Sequence, residues 1–414
     1  MTKPNKTSPR NHFTSDITIV GGGLVGMAAA LALSKIGLKI HLIEHIAIKD
    51  DSHPSYDDRT LVVNRASIRF WENIGIWKDL SSDLTPIKKV HVSNKGHFGT
   101  VNFKASDYNL DALANIIEAK KLGMALQNKI QQTDNITVVC PAQVTGFDTI
   151  TNAIKIDYCH DNTNHSIISQ LMLAADGAQS QIRKKLGLET HIKSYQRTAI
   201  ICNITPENKH DFCAYERLTH LGPTAILPFV NNRCGFVWTV NENKAEAIIQ
   251  LNDQDFLKKA QQQFGYRLGK FIKVGKRSSY PLYLVTVPKQ VKSRTILIGN
   301  AAHSMSPVSA QGLNLAIRDV ANLIDIIDSA NVNKQDIGSS KVLKDYQNAV
   351  NYDQNQTLKY TDDLMSWFKI NNPIINSFRS MGLVALDNVS HLKFDLFTKA
   401  SGFRDKTTKL LRLQ

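Results

Sequence analysis

The chain has 414 residues, of which 42% are hydrophobic and 21% charged, as in folded proteins with two or three domains and a large core. Its formal net charge is +14, which favours nucleic acid, anionic lipid or anionic small molecules as partners, or reflects only a basic surface. Nucleic acid is the weakest of these partners, because the sequence holds no Cys/His finger, RNP-type aromatic run or long Lys/Arg block.

The cysteines and the N-terminal segment bear on cellular location. The five cysteines form no CxxC pair, and we expect reduced thiols in a cytoplasmic protein. Residues 1–15 are polar and predict a flexible tail, not a signal peptide. No run of about 18 apolar residues predicts a membrane span. No Cys/His cluster predicts a metal site.

The first predicted unit is a βαβ segment. Residues 16–21 predict a buried strand, residues 23–36 a helix, and residues 38–44 a second strand, because apolar and polar residues alternate there.

A glycine motif, Gly21-x-Gly23-x-x-Gly26, joins the first strand to the helix. Gly21 permits a tight turn, Gly23 lets the backbone approach a phosphate, and Gly26 lets the helix press on the sheet. The free N–H groups of the helix N-terminus favour a pyrophosphate, and Glu44 can accept hydrogen bonds from ribose hydroxyls. The motif predicts dinucleotide binding; the alternative is a glycine-rich turn beside a solvated Glu44.

The middle of the chain mixes helix and strand patterns. The predicted elements are a helix at 64–77, strands at 86–104 around a turn at 94–96, a helix at 109–130, and a β-meander at 136–140, 143–147 and 153–158.

A second motif follows a buried strand at residues 171–175. Asp176-Gly177 ends that strand, with Ser180 and Arg183 close behind. A carboxylate at a strand end beside an arginine can hold hydroxyls or steer an anionic nucleotide, although the same residues also fit a turn with an ion pair.

Strand patterns dominate residues 191–287, and helices dominate the C-terminal part. The predicted elements are strands at 198–204, 224–229 and 233–240, a helix at 253–264, a strand after 295, a loop at 300–312, a one-faced helix at 313–327, and helices over 340–414 broken near Asn371-Asn372-Pro373.

The loop from Gly299 to Gly312 is the third motif. It delivers Asn300 from a strand, is stiffened by Pro307, and ends at a helix whose N-terminus points back at the loop. Such a loop offers backbone donors to the edge of a flavin ring or to its ribityl chain. His303 is a candidate base or ligand, or a structural loop residue. Two distant glycine turns around one long ligand indicate FAD and redox chemistry.

The three motifs in this order resemble the FAD-dependent aromatic hydroxylases, the 4-hydroxybenzoate-hydroxylase-like superfamily, over residues 16–350. Four further segments resemble the ubiquinone-biosynthesis branch of that family, and most of all the 2-polyprenyl-6-methoxyphenol hydroxylases. They are His91–Gly99, Asp107-Tyr108, Glu216–Pro223 and Tyr280-Pro281-Leu282.

The element pattern and the resemblance together imply an α/β fold. A Rossmann-like FAD-binding domain is expected to interleave with an antiparallel β-sheet substrate domain and to be followed by a helical C-terminal tail. The expected divisions are 16–85, 105–188 and 288–350 for the FAD-binding domain, 86–104 and 189–287 for the substrate domain, and 351–414 for the C-terminal helices.

The resemblance also implies which residues hold FAD. They are Gly21, Gly23, Gly26, Glu44, Arg59, Lys120, Val144, Asp176, Gly299, Asn300, Pro307, Gly312, Leu313 and Asn314.

Three positions depart from the wider family's pattern. Asn300 stands where that family has Asp and keeps a side-chain acceptor without the charge. Lys120 stands in place of an arginine, which keeps the charge but loses the fork of donors. Ala310 replaces the first glycine of a Gly-Gln-Gly sequence and adds a methyl group beside the expected flavin.

The implied reaction is hydroxylation of the aromatic ring of a prenylated phenol through a flavin hydroperoxide, with O2 and NADH or NADPH. No second GxGxxG exists, so NAD(P)H is expected to bind transiently. No catalytic acid or base is identified; the loop residues Pro307, Ala310, Gln311 and Gly312 are expected to face the flavin. A prenyl tail needs an apolar channel, with strand faces of 191–287 as its expected lining, or peripheral contact with the inner membrane and other quinone-biosynthesis proteins.

Three other interpretations stay open. A different GxGxxG flavin oxidase would release peroxide without NAD(P)H. A non-catalytic flavin-binding member of a lipid-bound quinone-synthesis complex finds its only support in Asn300 and Ala310. A plain NAD dehydrogenase leaves the segment 299–319 unexplained.

Overall fold

The computed structural model describes residues 14–47, 59–306, 310–367, 373–403 and 408–412. Residues 1–13 of the expected tail lie outside this part of the chain, and Ser15 already belongs to the first strand. The expected helix break at Asn371-Asn372 also lies outside it, between two described helices.

The elements of the first third of the chain alternate between strands and helices. They are β1 (Ser15–Val20), α1 (Leu24–Lys35), β2 (Ile40–Ile43), β3 (Thr60–Asn64), α2 (Arg65–Ile74), β4 (Thr85–Ile87), β5 (Lys89–Asn94), β6 (Thr100–Lys104), β7 (Ala114–Glu118) and α3 (Ala119–Gln131).

The middle third is mostly strand. Its elements are β8 (Ile136–Val139), β9 (Ala142–Ile150), β10 (Ala153–His160), β11 (Thr163–Ala174), α4 (Gln181–Lys185), β12 (His191–Pro206), β13 (Cys213–Leu218), β14 (Thr224–Pro228), β15 (Cys234–Asn241), α5 (Glu242–Ile249) and α6 (Asp253–Phe264).

The last third ends in long helices. Its elements are β16 (Phe271–Val274), β17 (Ser278–Thr286), β18 (Val291–Lys292), β19 (Thr295–Leu297), β20 (His303–Ser304), α7 (Gln311–Val332), α8 (Ser340–Trp367), α9 (Pro373–Asn388) and α10 (Ser390–Ala400).

One sheet has the strand order β18-β19-β11-β1-β2-β8. From β19 to β8 all neighbours are parallel, and β9 and β10 extend the sheet as antiparallel strands beside β11. The carboxyl ends of β19, β11, β1 and β2 therefore meet at one edge of the sheet, which we call the carboxyl edge.

Helices α1 and α7 bury the face of this sheet. Residues Gly26 to Ser34 of α1 are all buried, as expected of a helix that is apolar all round. In α7 the residues Ile317, Val320, Ile324 and Ile327 join the same core. The predicted one-faced helix is confirmed and is longer than predicted, from Gln311 to Val332.

A second, larger sheet has the order β20-β17-β12-β15-β14-β13-β5-β6, with β16 beside β12. Its neighbours are antiparallel except β13 and β5, which run parallel. Strands β5 and β6 thus share a sheet with strands of residues 189–287, although about a hundred residues separate them in the chain. Two of the expected divisions fall inside elements: 85/86 inside β4 and 350/351 inside α8.

Three expectations about elements were wrong. The helix at 109–130 begins only at Ala119, because residues 114–118 form β7 between β3 and β4. β7 is paired along both edges, and packing on its two faces buries Ile116 and Ile117 completely, which overrides helix propensity. Residues 136–140 are not part of the meander, since β8 pairs in parallel with β2; the meander is β9, β10 and β11. The loop at 300–312 contains β20, which pairs with β17.

Candidate active site

The carboxyl edge brings the three motifs together. Gly21 follows β1, Glu44 follows β2, Asp176 follows β11 and Gly299 follows β19. These four strands are neighbours in the parallel sheet. The first and third motifs, far apart in the chain, therefore flank one crevice, the usual ligand position in open α/β sheets.

Close packing joins the motifs and explains their glycines. Gly21 has φ +110°, and a Cβ there would lie 2.4 Å from the Ala175 carbonyl oxygen. A Cβ on Gly26 would lie 2.0 Å from the Gly21 carbonyl oxygen. A Cβ on Gly299 would lie 3.1 Å from the Val25 side chain. No side chain fits at Gly21 or Gly26 without moving backbone, so the first motif rests directly on the second.

Two helices start at this crevice without an anionic cap. Helix α1 follows Gly23 and α7 follows Ala310; neither helix has a side-chain cap or an acidic residue in its first turn. Helix N-termini present backbone donors and the positive end of the helix dipole. The arrangement suits a negatively charged group such as a pyrophosphate.

Glu44 fastens the first motif and borders a small cavity. One carboxylate oxygen accepts a hydrogen bond from the Gly22 N–H, and the other accepts one from the Ile46 N–H at 2.7 Å. The side chain is buried, so it is not simply solvated. A cavity of about 100 Å³ beside it is lined mostly by apolar groups, among them Leu42 and Val138, together with Gly22 and Glu44.

Asp176 and Arg183 tie the second motif to the third. The Asp176 Oδ2 atom accepts a hydrogen bond from the Ile182 N–H at 3.1 Å, while Oδ1 is buried without a protein donor. The buried Arg183 guanidinium donates to the Ala301 carbonyl at 2.9 Å and to the Ala178 carbonyl at 2.8 Å. A buried carboxylate oxygen needs a donor, and a ligand hydroxyl would supply one.

Asn314 is engaged by the protein itself. Its Oδ1 atom accepts from the Asn64 N–H at 3.0 Å, and its Nδ2 group donates to the Val62 and Ala310 carbonyls, both at 2.8 Å. These hydrogen bonds fix the start of α7 against β3, so Asn314 positions the C-terminal end of the loop that begins at Gly299.

The other expected cofactor residues lie on several different elements. The Arg59 guanidinium lies over the Tyr280 ring, 5.3 Å from its centroid. Lys120 lies in the first turn of α3, Val144 on β9, and Gly312 and Leu313 in the first turn of α7. Asn300 is exposed in a short turn after β19. Pro307 lies outside the described residues.

His303 lies in a buried polar cluster. Its Nε2 atom is 2.6 Å from Asp319 Oδ2, which also accepts a hydrogen bond from Gln354 Nε2 at 2.9 Å. The side chains of His303 and Asp319 are 2% and 1% exposed, and burial raises the pKa of Asp319. His303 does not line the cavity described next, and this favours its structural interpretation.

A cavity of about 580 Å³ lies between the large sheet and the start of α7. Ala310, Gln311 and Asn314 line one side of it. Strands of 191–287 contribute apolar side chains, and β5 and α10 contribute others. Examples from these two elements are Val90, Val92, Leu396 and Phe397.

Glu216 is the site residue that the sequence analysis missed. It lines the cavity and is half-buried, and its exposed surface faces the cavity. Burial raises its pKa to about 6. The Glu216 backbone pairs with Ala225 and Val92, whereas no hydrogen bond or ion pair joins its carboxylate to another described residue. Glu216 also affects Tyr360. The pKa of Tyr360 is raised to about 12, first by burial and second by the negative charge of Glu216.

A signal for Glu216 exists in the strand pattern. Ala214, Glu216 and Leu218 lie on the same face of β13, because side chains alternate along a strand. The two neighbours on that face are buried and apolar. An acidic residue between two buried apolar residues indicates that this face of the strand borders a cavity at that position, because a fully packed core would not accommodate the charge.

Comparison with known proteins assigns the family. The family described as "FAD binding domain" matches residues 14–350. The chain belongs to this family. FAD is thus the cofactor, and the glycine contacts, the helix N-termini and the unpartnered Asp176 oxygen at the carboxyl edge fit it.

Similar proteins extend over nearly the whole chain. An uncharacterized protein of Synechocystis sp. is 30% identical over 90% of this chain and 89% of its own length. The ubiquinone hydroxylase UbiL of Rhodospirillum rubrum is 29% identical over 92% and 87%. The 3-demethoxyubiquinol 3-hydroxylase of Escherichia coli is 26% identical over 94% and 98%.

A solved structure shows the same fold. The p-nitrophenol 4-monooxygenase PnpA of Pseudomonas putida matches with a TM-score of 0.79 at 15% identity, covering 94% of this chain and 99% of that one. The expected α/β architecture with a helical C-terminal region is confirmed.

The described residues also bear on metal binding and on membrane insertion. No group of His, Cys, Asp and Glu side chains there is arranged to hold a metal ion. None of the helices in that part of the chain has the length and hydrophobicity that crossing a bilayer requires.

Proposed function

We propose that this protein is a flavin-dependent monooxygenase that hydroxylates the aromatic ring of a prenylated phenol in ubiquinone biosynthesis. The supporting observations are the family, the printed functions of relatives such as UbiL and the 3-demethoxyubiquinol 3-hydroxylase, and an apolar cavity beside the expected flavin position. When bound, FAD supplies the redox chemistry, taking electrons from NAD(P)H and passing them to O2.

The residues of the carboxyl edge would hold FAD. The α1 N-terminus after Gly23 suits the pyrophosphate, Glu44 the ribose, and Asp176 a hydroxyl group. The α7 N-terminus with Ala310 and Gln311 would carry the flavin side that meets the cavity. In this assignment the parallel sheet with its helices is the FAD-binding domain, and the large sheet with β5 and β6 is the substrate domain.

The cavity would bind and orient the substrate ring. Apolar walls such as Ala225, Leu227 and Val237 exclude water and suit an aromatic ring that carries a prenyl chain. Polar side chains interrupt these walls at several points, and Glu216 is one of them.

Glu216 is the proposed base. With its pKa raised to about 6 by burial, the carboxylate form predominates at neutral pH, yet it is basic enough to accept a proton. Accepting the phenol proton increases electron density on the ring, and an electron-rich ring is the better nucleophile toward an electrophilic oxygen. The protein thus contributes placement, exclusion of water and this proton transfer.

The observation that carries the proposal is the position of the cavity, which is bordered by Ala310 and Gln311 of the third motif on one side and by Glu216 on the other. The test is to purify the protein, record its flavin absorption and follow NAD(P)H oxidation with a short-chain prenylphenol. We expect substrate-stimulated oxidation and a product heavier by one oxygen atom in mass spectrometry. Peroxide formation without NAD(P)H would instead indicate an oxidase.

A prenylated substrate resides in lipid, so peripheral contact with a membrane, and with other proteins of the same biosynthesis, is part of the proposal. Accumulation of the unhydroxylated precursor in a strain that lacks the gene, detected by mass spectrometry, tests the assignment in the cell. An unchanged quinone profile in that strain would contradict it.

A further inference from the structure

Helices α9 and α10 carry an apolar surface that faces away from the protein. Its members are between 40% and 68% exposed: Phe378, Met381, Val384, Val389 and Leu392. From residue 377 to 392, none of the exposed positions holds Asp, Glu, Lys or Arg. Large contiguous apolar surfaces of this kind mark interaction sites.

The opposite side of the same two helices faces the protein interior. Leu383, Leu386, Leu396 and Phe397 pack against the cluster around Phe103. Leu396 and Phe397 also line the large cavity. A helix pair that is apolar on both sides is not a pattern for a surface that faces only water.

The turn between β5 and β6 extends the apolar surface. The turn packs closely against α9. There is no room for a side chain at Gly99, since its Cβ would lie 2.4 Å from the Ser380 carbonyl oxygen. The Asn102 N–H donates to the Asp387 carboxylate at 3.0 Å. Phe98, next to Gly99, is 61% exposed. We call Phe98 and the five exposed residues of α9 and α10 the outer face.

Positive charge accumulates beside this turn. Burial lowers the pKa of Lys95, and the positive charge of Arg217 lowers it further. Burial also lowers the pKa of Arg217, and the charge of Arg267 adds to that effect. None of the three cations makes an ion pair with a described residue; Lys95 donates only to Gln263 Oε1, at 2.7 Å. Asp387, the acid on α9 that holds the β6 backbone, is paired with Lys393 at 3.0 Å. We call Lys95, Arg217 and Arg267 the cationic cluster.

The cavity opens beside α10 and also beside α8, where the exposed side chains of Tyr352 and Tyr360 line it. Asp395, Lys399 and Ala400 line it and are also exposed, and they follow Leu392 of the outer face by one to two turns. A molecule leaving an apolar layer at the outer face would therefore meet the cavity opening within the same helix.

We propose that the outer face and the cationic cluster together dock on the surface of an anionic lipid bilayer, with the cavity opening turned toward the lipid. This inference rests on the proposed function for its purpose, because a prenylated phenol must come from the membrane. Apolar side chains enter the interface, while the cations face anionic headgroups. The net charge of +14 favours the same partner.

The experiment measures sedimentation of the flavin-loaded protein with vesicles of phosphatidylcholine, pure or mixed equally with phosphatidylglycerol. The apolar variant is Phe378→Ser/Met381→Ser/Leu392→Ser. Its matched control is Met124→Ser/Ile192→Ser/Val332→Ser, which changes residues of similar exposure on other elements. The charge variant is Lys95→Gln/Arg267→Gln, with Lys244→Gln/Lys258→Gln as its control.

We expect the wild-type protein and both controls to bind mixed vesicles, less so at high salt. The apolar variant should bind at least about ten-fold more weakly, and the charge variant should lose its preference for mixed over pure vesicles. Equal binding by wild type and apolar variant would overturn the proposal. So would a concentration-dependent dimer, seen by light scattering and abolished in the apolar variant, if vesicles do not bind.

Hydroxylation of a water-soluble short-chain prenylphenol without vesicles separates this inference from the proposed function. All variants should retain flavin absorption and this activity, because none of the changed residues lines the cavity or the carboxyl edge. Intact hydroxylation without vesicle binding would reject the docking surface alone. Vesicle binding without hydroxylation would reject the proposed function alone.

Discussion

The carboxyl edge and the large cavity are built in opposite ways. The edge consists of backbone, glycines and helix N-termini, supplied by motifs that follow single strands. The cavity consists of side chains from β5, β13, β14, α8 and α10, which are far apart in the chain. A cofactor with phosphates can be held by local backbone geometry, whereas an apolar substrate needs a shaped wall, and only distant segments together provide it.

The largest expected effect comes from a side chain in the first motif. In Gly26→Val the new Cβ meets the Gly21 carbonyl oxygen, so the turn must open, and FAD affinity should fall by about 100-fold or more. The measurement is flavin absorption of the isolated protein and after titration with FAD. Gly146→Val, on β9, is the control, because the nearest atom to its Cβ is 3.9 Å away. Normal flavin content in Gly26→Val would show that the edge tolerates rearrangement.

The buried pair beneath the third motif comes next. His303→Asn removes the imidazole that lies 2.6 Å from the Asp319 carboxylate. The free energy of unfolding should fall by about 3 kcal/mol, since a buried carboxylate loses its main partner. Urea unfolding without substrate measures this.

An exposed pair provides the contrast. Lys121→Gln breaks the partly exposed pair with Asp83 at 3.3 Å and should cost less than about 1 kcal/mol. Equal losses in the two variants would mean that the His303–Asp319 pair contributes no more than a surface pair.

Glu216→Gln tests the cavity side. Hydroxylation should fall by about 100-fold, while flavin absorption stays unchanged. In the wild type, kcat/KM should rise with pH up to about 6, the pKa of Glu216, and then level off, because the carboxylate is the active form. The Gln variant should lack this step.

Stability provides the control for Glu216→Gln. The Glu216 pKa is higher in the folded protein than the ordinary 4.5, so its ionisation destabilises the folded state as pH rises from about 4.5 to 6. The Gln variant should therefore be at least as stable as the wild type at neutral pH. If Glu216→Gln retains hydroxylation activity with the pH profile of the wild type, Glu216 takes no part in the mechanism.

The smallest effect on activity is expected from narrowing the cavity. Ala225→Phe adds a ring to the wall and should lower kcat/KM for a prenylphenol by about ten-fold, a loss of about 1.4 kcal/mol. Flavin content should not change. An unprenylated phenol, which needs less room, should be less affected; equal losses for both phenols would contradict a wall that contacts the prenyl chain.

The motifs predicted the edge well. Gly21, Glu44, Asp176 and Gly299 follow neighbouring parallel strands, as their pattern indicates. The sequence analysis failed where distant strands decide the secondary structure. Residues 114–118 carry a helix-compatible pattern, but they form a strand because they pair with β3 on one side and β4 on the other. It also left Glu216 without a role, because a single strand pattern does not show that the facing space is a cavity.

The amino-acid sequence by itself determined the turns and helix starts of the carboxyl edge, since turn geometry, helix starts and strand ends depend on neighbours within a few residues. Only the tertiary structure decided the cavity, the raised pKa of Glu216 and the outer face. Burial and accessible space are properties of segments that come together from distant parts of the chain, and no local pattern records them.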